Sequence, residues 1–351
     1  MSAGAAAANA LVSVVIPSYN HERYIVPAIE SVLAQSHTEL ELIIIDDGSS
    51  DGSVSLIRQI GDNRINLVEQ ENRGAHSAIN RGLEMANGDY LAILNSDDLF
   101  HPDRLARCVG HLEDTGSDLV ASWLEVIDQS GATMGIKRGW ENMLPWGIPD
   151  YEQSFAADND FALNILATNF VATTSNVVFT RRLYSAIGGM RNLRFTHDWD
   201  FLLRAAAQFS CSLLAEPLVK YRIHDSNTIS SNRRWMLFEI CWVLACGMRL
   251  FEGKTLYAGE DAVSWVADTQ RIHKSIQLQG NDKVLWMIRQ FVDARASRGV
   301  AGAELSLLDD PAVRQPFIDA IVDSTVSAAG PKEPEPGLWA SLLRRLRRHP
   351  G

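Results

Sequence analysis

Leu42-Ile43-Ile44-Ile45-Asp46-Asp47-Gly48-Ser49 decides the fold class of this chain. Four consecutive apolar residues, three of them β-branched, read as a strand covered on both faces, the habit of parallel sheets. The run stops on two carboxylates and a glycine, which places the acidic pair at the strand's carboxyl end. Working outward, Val12 to Ile16 is a second apolar strand, closed by Pro17, and Tyr90 to Leu94 is a third that stops at Asn95-Ser96-Asp97-Asp98. Between the strands the period changes. Ile25, Ala28, Ile29, Val32 and Leu33 share one helical face, as do Ala75, Ala78, Ile79, Gly82, Leu83 and Ala86, ended by Asn87-Gly88. A short helix through Val54, Ile57 and Ile60, a weaker strand at Asn66 to Glu69, a helix opening near Pro102 and a strand at Asp118 to Ser122 complete the alternation. This pattern predicts an α/β domain with a mainly parallel sheet. Ligands of such sheets bind beyond the carboxyl ends of the strands, so Asp46-Asp47 and Asp97-Asp98 fall on one rim.

The chain has 351 residues, a formal net charge of −11 and 46% hydrophobic residues, enough for a full core. The acidic balance excludes a general nucleic-acid binder, which needs a basic footprint. Cys108, Cys211, Cys241 and Cys246 lack metal-type spacing and read as free thiols in a reducing compartment. The first ten residues show no secretory pattern, and the densest apolar run, Ile240 to Met248, is far shorter than the ~20 residues a membrane span needs. The expected location is cytoplasmic, with contact to the inner face of the cell membrane as an option.

The expected organisation is a disordered stretch over 1–11, the α/β domain over 12–231, a helical region over 232–328, and a linker and tail over 329–351. Residues 140–170 are irregular, and no internal repeats are present. The tail sets Trp339, Leu342, Leu343 and Leu346 in one stripe against Arg344, Arg345, Arg347 and Arg348. That is the composition of an interfacial helix drawn to anionic lipid, and equally of a helix that docks on its own protein.

No G-x-x-x-x-G-K-[ST] occurs, and no G-x-G-x-x-G follows the first strand, which disfavours phosphate-loop enzymes and dinucleotide dehydrogenases. The rim offers carboxylates instead. Carboxylates hold Mg²⁺ or Mn²⁺, and such ions bridge to substrate phosphates. A nucleoside-diphosphate leaving group fits, since the metal neutralises charge on the departing oxygens. An attacking hydroxyl then needs a base, and Thr196-His197-Asp198-Trp199-Asp200 supplies carboxylates for it. Simpler readings stay open at this point: Asp46 to Gly52 as a turn, Asp97-Asp98 and Asp198 as helix caps, His224 as a core histidine.

Taken together, the pieces resemble the family 2 glycosyltransferases of the GT-A fold over roughly residues 12 to 230. They are Val14 to Asn20, Ser31 to Ser36, Ile44 to Asp51, Asn72-Arg73-Gly74 with Ala78 to Gly82, Gly88-Asp89-Tyr90 into Leu94 to Asp98, Gly188-Gly189-Met190, His197 to Asp200, and Tyr221 to His224. The resemblance implies a metal-dependent inverting transfer from a nucleoside-diphosphate sugar, UDP- or dTDP-linked, to a saccharide or lipid-linked acceptor of cell-surface polysaccharide. It implies Pro17, Tyr19, Asp47, Arg73 and Asp97 at the nucleotide, Asp98 and His224 at the Mn²⁺ or Mg²⁺ ion, Asp198 as catalytic base and Asp200 on the acceptor side. Two positions depart from the family pattern: Asn95 stands where the metal motif often begins with Asp, and His197 where Glu is common. A sugar nucleotidyltransferase would need a Gly-rich basic loop, and Ser18 to Val26 offers only Arg23. A non-catalytic nucleotide-sugar-binding or scaffold protein would have no need of both Asp98 and Asp198.

Overall fold

The computed structural model describes residues 10–141, 143, 152, 154–224, 232–276, 278 and 280–323. The expectations for most of the first eleven residues and for the linker and tail lie outside them. The chain runs β1 (Val12–Ser18), α1 (Ile25–Leu33), β2 (Leu40–Asp46), α2 (Ser53–Ile60), β3 (Ile65–Glu69), α3 (Ala75–Met85), β4 (Tyr90–Ile93), β5 (Leu99–Phe100), α4 (Arg104–Thr115), β6 (Leu119–Ile127) and β7 (Thr133–Lys137). It continues through α5 (Phe161–Ala167), β8 (Val177–Thr180), α6 (Arg181–Ile187), α7 (His197–Ala206), β9 (Cys211–Arg222), α8 (Arg233–Phe251), α9 (Ala262–Ser275), α10 (Asp282–Ala296), α11 (Ser306–Asp309) and α12 (Pro311–Asp319). These elements gather into two compact units, both discontinuous in sequence. The first takes residues up to 141, 170–191 and 208–223; the second takes 142–169, 192–207 and 224 onward.

The first unit is built on a nine-stranded sheet in the order β3-β2-β1-β4-β8-β6-β9-β5, with β7 beside β6. Its parallel part is the one the apolar runs announced. β1 pairs with β2 from Val12↔Leu40 to Ser18↔Asp46, with β3 and β4 parallel on either side. Val12, Val14, Val15 and Ile16 are wholly buried. α3 lies on β1 through Gly82, where a Cβ would come within 2.3 Å of Val15 Cγ1, so only glycine lets the helix approach this closely. Beyond β4 the sheet turns mixed. β8 is antiparallel to both β4 and β6, β9 is parallel to β6, β5 is antiparallel to β9 and β7 is antiparallel to β6. The parallel half brings the ends of β1, β2 and β4 to one edge, where the predicted nucleotide residues sit.

Among the described residues, the elements of the second unit are the helices α5 and α7 to α12, a 3-10 turn at Phe155–Asp158 and one isolated bridge, Glu252↔Leu256. α8 carries the apolar run noted above, with Leu237, Phe238, Cys241, Trp242, Val243, Leu244, Ala245 and Met248 all buried. A helix that is apolar on nearly every face belongs at the centre of its unit, and α8 packs against α7, α10 and α12. Gly247 lets α8 approach Leu203 of α7, since a Cβ there would meet Leu203 at 2.7 Å. Among the described residues no helix is long and apolar enough to cross a membrane. None of the four cysteines forms a disulfide among the described residues.

Candidate active site

In the first unit, the loops after β1 and β2 are tied together. Asn20 N donates to Ser49 Oγ at 2.9 Å, and Ser50 N to Asn20 Oδ1 at 2.8 Å. Pro17 stands opposite Ile45, one pair before the β1–β2 ladder ends at Ser18↔Asp46, and Tyr19 just beyond is 47% exposed. The neighbouring acids Asp46 and Asp47 do different work. Asp46 closes its own turn, accepting from Ser49 N at 2.8 Å and Ser49 Oγ at 2.7 Å. Asp47 reaches across to the loop before α3, accepting from Gln70 Nε2 at 2.7 Å, Arg73 N at 2.9 Å and Gly74 N at 2.8 Å. Gly74 takes φ +89°, a conformation that favours glycine and turns its N–H onto that carboxylate. Arg73 therefore meets Asp47 through its backbone. Its side chain is exposed and lines a cavity of about 660 Å³ with Gln70, His76, Asn80 and Arg81.

The second acidic pair splits in the same way. Asp98 is buried. Its Oδ2 accepts from Ser175 Oγ at 2.6 Å and Thr173 Oγ1 at 3.3 Å, and its Oδ1 from Arg222 N at 2.9 Å. Burial, with the charge of Asp97 beside it, pushes the Asp98 carboxyl up to about 8 against those hydrogen bonds. Asp97 is half-buried, and one of its carboxylate oxygens lies within 4.8 Å of a ring nitrogen of His21. His21 Nδ1 is 2.7 Å from Ser96 Oγ. The Asn95 departure has a local cause. Its Oδ1 accepts from Thr174 Oγ1 at 2.7 Å while its Nδ2 donates to Thr173 Oγ1 at 3.0 Å. An aspartate could not donate that second bond. Arg222 locks the loop from the other side, its Nε donating to Asp97 O at 2.8 Å. Beneath lies Arg104, fully buried, donating to Ser122 Oγ and Ser175 O at 3.0 Å each.

In the second unit, Asp198 and Asp200 occupy the first turn of α7, where acidic side chains favour the helix dipole. Asp198 is buried. Its Oδ2 accepts from Asn169 Nδ2 at 2.8 Å and its Oδ1 from the adjacent Trp199 N at 2.7 Å. The indole of Trp199 donates to Ile165 O at 2.6 Å, pinning α7 to α5. Asp200 forms a buried ion pair with Arg204 one turn on, at 2.9 Å. His197 carries a buried Nδ1 that meets no partner among the described residues. His224 is buried and belongs to this unit.

The structure thus groups Pro17, Tyr19, Asp47, Arg73, Asp97 and Asp98 in the first unit, and Asp198, Asp200 and His224 in the second. Residues absent from the sequence reading are His21, Asn169 and the Thr173-Thr174-Ser175 run. The last carried a usable signal: three consecutive hydroxyls just ahead of the apolar Val177-Val178-Phe179.

The glycosyl transferase family 2 model matches residues 13–183. The putative teichuronic acid biosynthesis glycosyltransferase TuaG of Bacillus subtilis (strain 168) is 31% identical over 238 residues, which cover 66% of this chain and 86% of that protein. An uncharacterized glycosyltransferase of Nostoc sp. is 37% identical over 224 residues, 62% of this chain. The match spans 66% of the length of that relative, just under two thirds. Among solved structures, S. aureus TarS 1–349 in complex with UDP is similar with a TM-score of 0.52 at 17% identity, over 88% of this chain and 80% of that one. At that identity the likeness is one of fold.

Proposed function

This chain belongs to glycosyl transferase family 2, and from that premise we propose that it is a metal-dependent inverting glycosyltransferase. It takes a sugar from a nucleoside-diphosphate sugar, UDP- or dTDP-linked, and passes it to a hydroxyl of a saccharide or lipid-linked acceptor during cell-surface polysaccharide synthesis. The teichuronic acid relative supports that setting.

The reading rests on Asp198. Its hydrogen-bond partners are neutral, the Asn169 amide and the Trp199 backbone, whereas Asp200 is neutralised by Arg204. Those two neutral donors orient the Asp198 carboxylate, and a positioned carboxylate is the group that takes a proton from an acceptor hydroxyl. Asp200 serves the acceptor side by keeping Arg204 paired. One displacement assisted by one base inverts the anomeric carbon.

Pro17, Tyr19, Asp47 and Arg73 hold the nucleotide in this reading, Asp47 by shaping the loop that carries Arg73. His21 and Asp97 offer an imidazole nitrogen and a carboxylate oxygen close together, donors that suit Mn²⁺ and, through the carboxylate, Mg²⁺. Asp98 already accepts from Ser175, Thr173 and Arg222. We therefore assign the cation-facing edge of the pair to Asp97, and to Asp98 the holding of its loop. The role near the diphosphate implied for His224 is kept. When bound, the cation would offset the charge that builds on the departing diphosphate. The basic tail, outside the described residues, would hold the protein at an anionic membrane surface.

A panel of UDP-, dTDP- and GDP-sugars, assayed for metal-dependent release of nucleoside diphosphate, tests the proposal. Release from at least one donor supports it. Metal-dependent UDP binding with no release from any donor would instead make the chain a non-catalytic nucleotide-sugar-binding protein.

A further inference from the structure

Glu239 is an acid in the middle of an apolar helix, 2% exposed. Burying an uncompensated carboxylate is costly, and among the described residues no ion pair offsets this one. Five neutral donors do so instead. Oε1 accepts from Arg194 N at 2.8 Å and Trp235 Nε1 at 2.7 Å. Oε2 accepts from Phe195 N at 2.7 Å, Thr196 N at 3.2 Å and Thr196 Oγ1 at 3.3 Å. Three successive backbone N–H groups turned onto one anion form a nest. This nest is the approach to α7, and Asp198 stands two residues past its last member.

The arrangement also explains an oddity of that helix. Thr196 is the N-cap of α7, yet its side chain accepts no capping bond. A threonine there ordinarily accepts from a backbone N–H of the first turn. Here its hydroxyl donates to Glu239 instead, so the start of α7 is set by α8. We propose that Glu239 is a positioning residue for the general base: its carboxylate fixes the 194–196 loop and with it the aim of Asp198. This assigns a task in the reaction to the helical region beyond residue 232. It rests on Asp198 being the base.

The test is Glu239→Gln, which keeps the size but turns one acceptor oxygen into a donor facing the nest. Turnover is read as nucleoside-diphosphate release from the donor that the wild-type protein hydrolyses fastest. Affinity is read by titrating the same diphosphate with Mn²⁺. The expected result is a fall in turnover of ~10²-fold, the scale of a misplaced catalytic group, with unchanged diphosphate affinity. The double variant Asp198→Asn/Glu239→Gln should be no slower than Asp198→Asn alone, because a misaimed base that has already been removed costs nothing more. Additive losses in the double variant, or near-normal turnover in Glu239→Gln, would overturn the proposal. Near-normal turnover in Asp198→Asn would overturn the base reading itself, which is a separate outcome. Should Glu239→Gln not fold, Trp235→Phe takes away the indole donor to Glu239 Oε1 and leaves the three backbone N–H groups of the nest in place. It should slow turnover by about threefold to tenfold, the scale of one hydrogen bond, with the same non-additivity. Wild-type turnover there would also sink the idea.

Discussion

Asn169 donates its side-chain amide to Asp198 Oδ2 at 2.8 Å. A carboxylate held from one side by a neutral amide is oriented without being neutralised, which is what a general base requires. Asp198→Asn should lower turnover by roughly 10²–10⁴-fold, the range of a positioned general base, and leave nucleotide affinity alone. Asn169→Ala should act in the same direction but more weakly, by about tenfold, since it loosens the base without removing it. Initial rates of diphosphate release, paired with titrations of UDP, separate the two quantities. A matching loss of affinity in Asp198→Asn would move that residue to the donor side.

Gly82 sets the distance between α3 and β1. Gly82→Ala gains up to about 1 kcal/mol of helix propensity. Its new methyl would fall 2.3 Å from Val15 Cγ1, inside a fully buried strand. Overpacking of this kind costs about 1–3 kcal/mol, so the net effect should be a lower melting temperature. Val15→Ala added to Gly82→Ala should recover part of the loss. A melting temperature equal to or above the wild type would show that α3 shifts freely.

The parallel half of the sheet was legible because β1, β2 and β4 are apolar on both faces and each ends on a turn or an acid. The antiparallel half was not. β5 is only Leu99–Phe100, and pairings such as Leu99↔Lys220 join residues too far apart for any local period to show. The site divided similarly. Asp47, Asp97 and Asp198 stand at element ends, where side-chain chemistry is visible in the order of residues. Yet Asp46 and Asp47 read as one cluster, and only their separate partners tell a turn closure from a loop anchor. Asn169 and His21 sit in irregular stretches with no pattern to mark them. Glu239 did leave a mark, as the acid bordering the densest apolar run, but nothing in sequence says that its partners lie at residues 194–196.

Lys137 gives the fold a pH dependence on the alkaline side. It is buried in β7, its Nζ donating to the carbonyls of Gly139 and Glu141. Burial pulls its ammonium from 10.5 down to about 8, with Glu141 opposing. Between those values the unfolded chain keeps a proton that the folded protein has lost. Stability from this group therefore rises with pH from about 8 to 10.5 and is least below 8. Lys137→Met should flatten that rise, as read from urea midpoints at neutral pH and near pH 10. A wild-type midpoint that falls over this window relative to the variant would mean that Lys137 stays charged when folded.

The basic tail bears on location. Four arginines and an apolar stripe in a chain of net charge −11 suit a surface of anionic lipid, each cation contributing about 1 kcal/mol. Full-length protein should sediment with anionic vesicles at low salt and be released at high salt, whereas protein truncated after Gly330 should stay in the supernatant. Equal sedimentation of the two forms, or none by either, would remove the membrane from the proposal.

The acidic pair at the end of β4 makes the sharpest demand on the metal reading. Asp97 lies beside His21, while Asp98 is engaged by Ser175, Thr173 and Arg222. If Asp97 faces the cation, Asp97→Asn should abolish the gain in UDP affinity that Mn²⁺ confers, a loss of at least about 10²-fold in metal affinity, the upper end for disturbing such a site. Asp98→Asn should retain a reduced gain, about tenfold weaker, because the loop is loosened and the ligand kept. His21→Ala should fall between them. Calorimetric titrations of UDP with Mn²⁺ and with a chelator read all three. The comparison is internal, since binding without metal reports the nucleotide pocket alone and should be alike in every variant. The reverse ranking, with Asp98→Asn the more damaging at equal metal-free affinity, would return the ligand role to Asp98. An equal Mn²⁺ gain in all three variants would place the cation elsewhere.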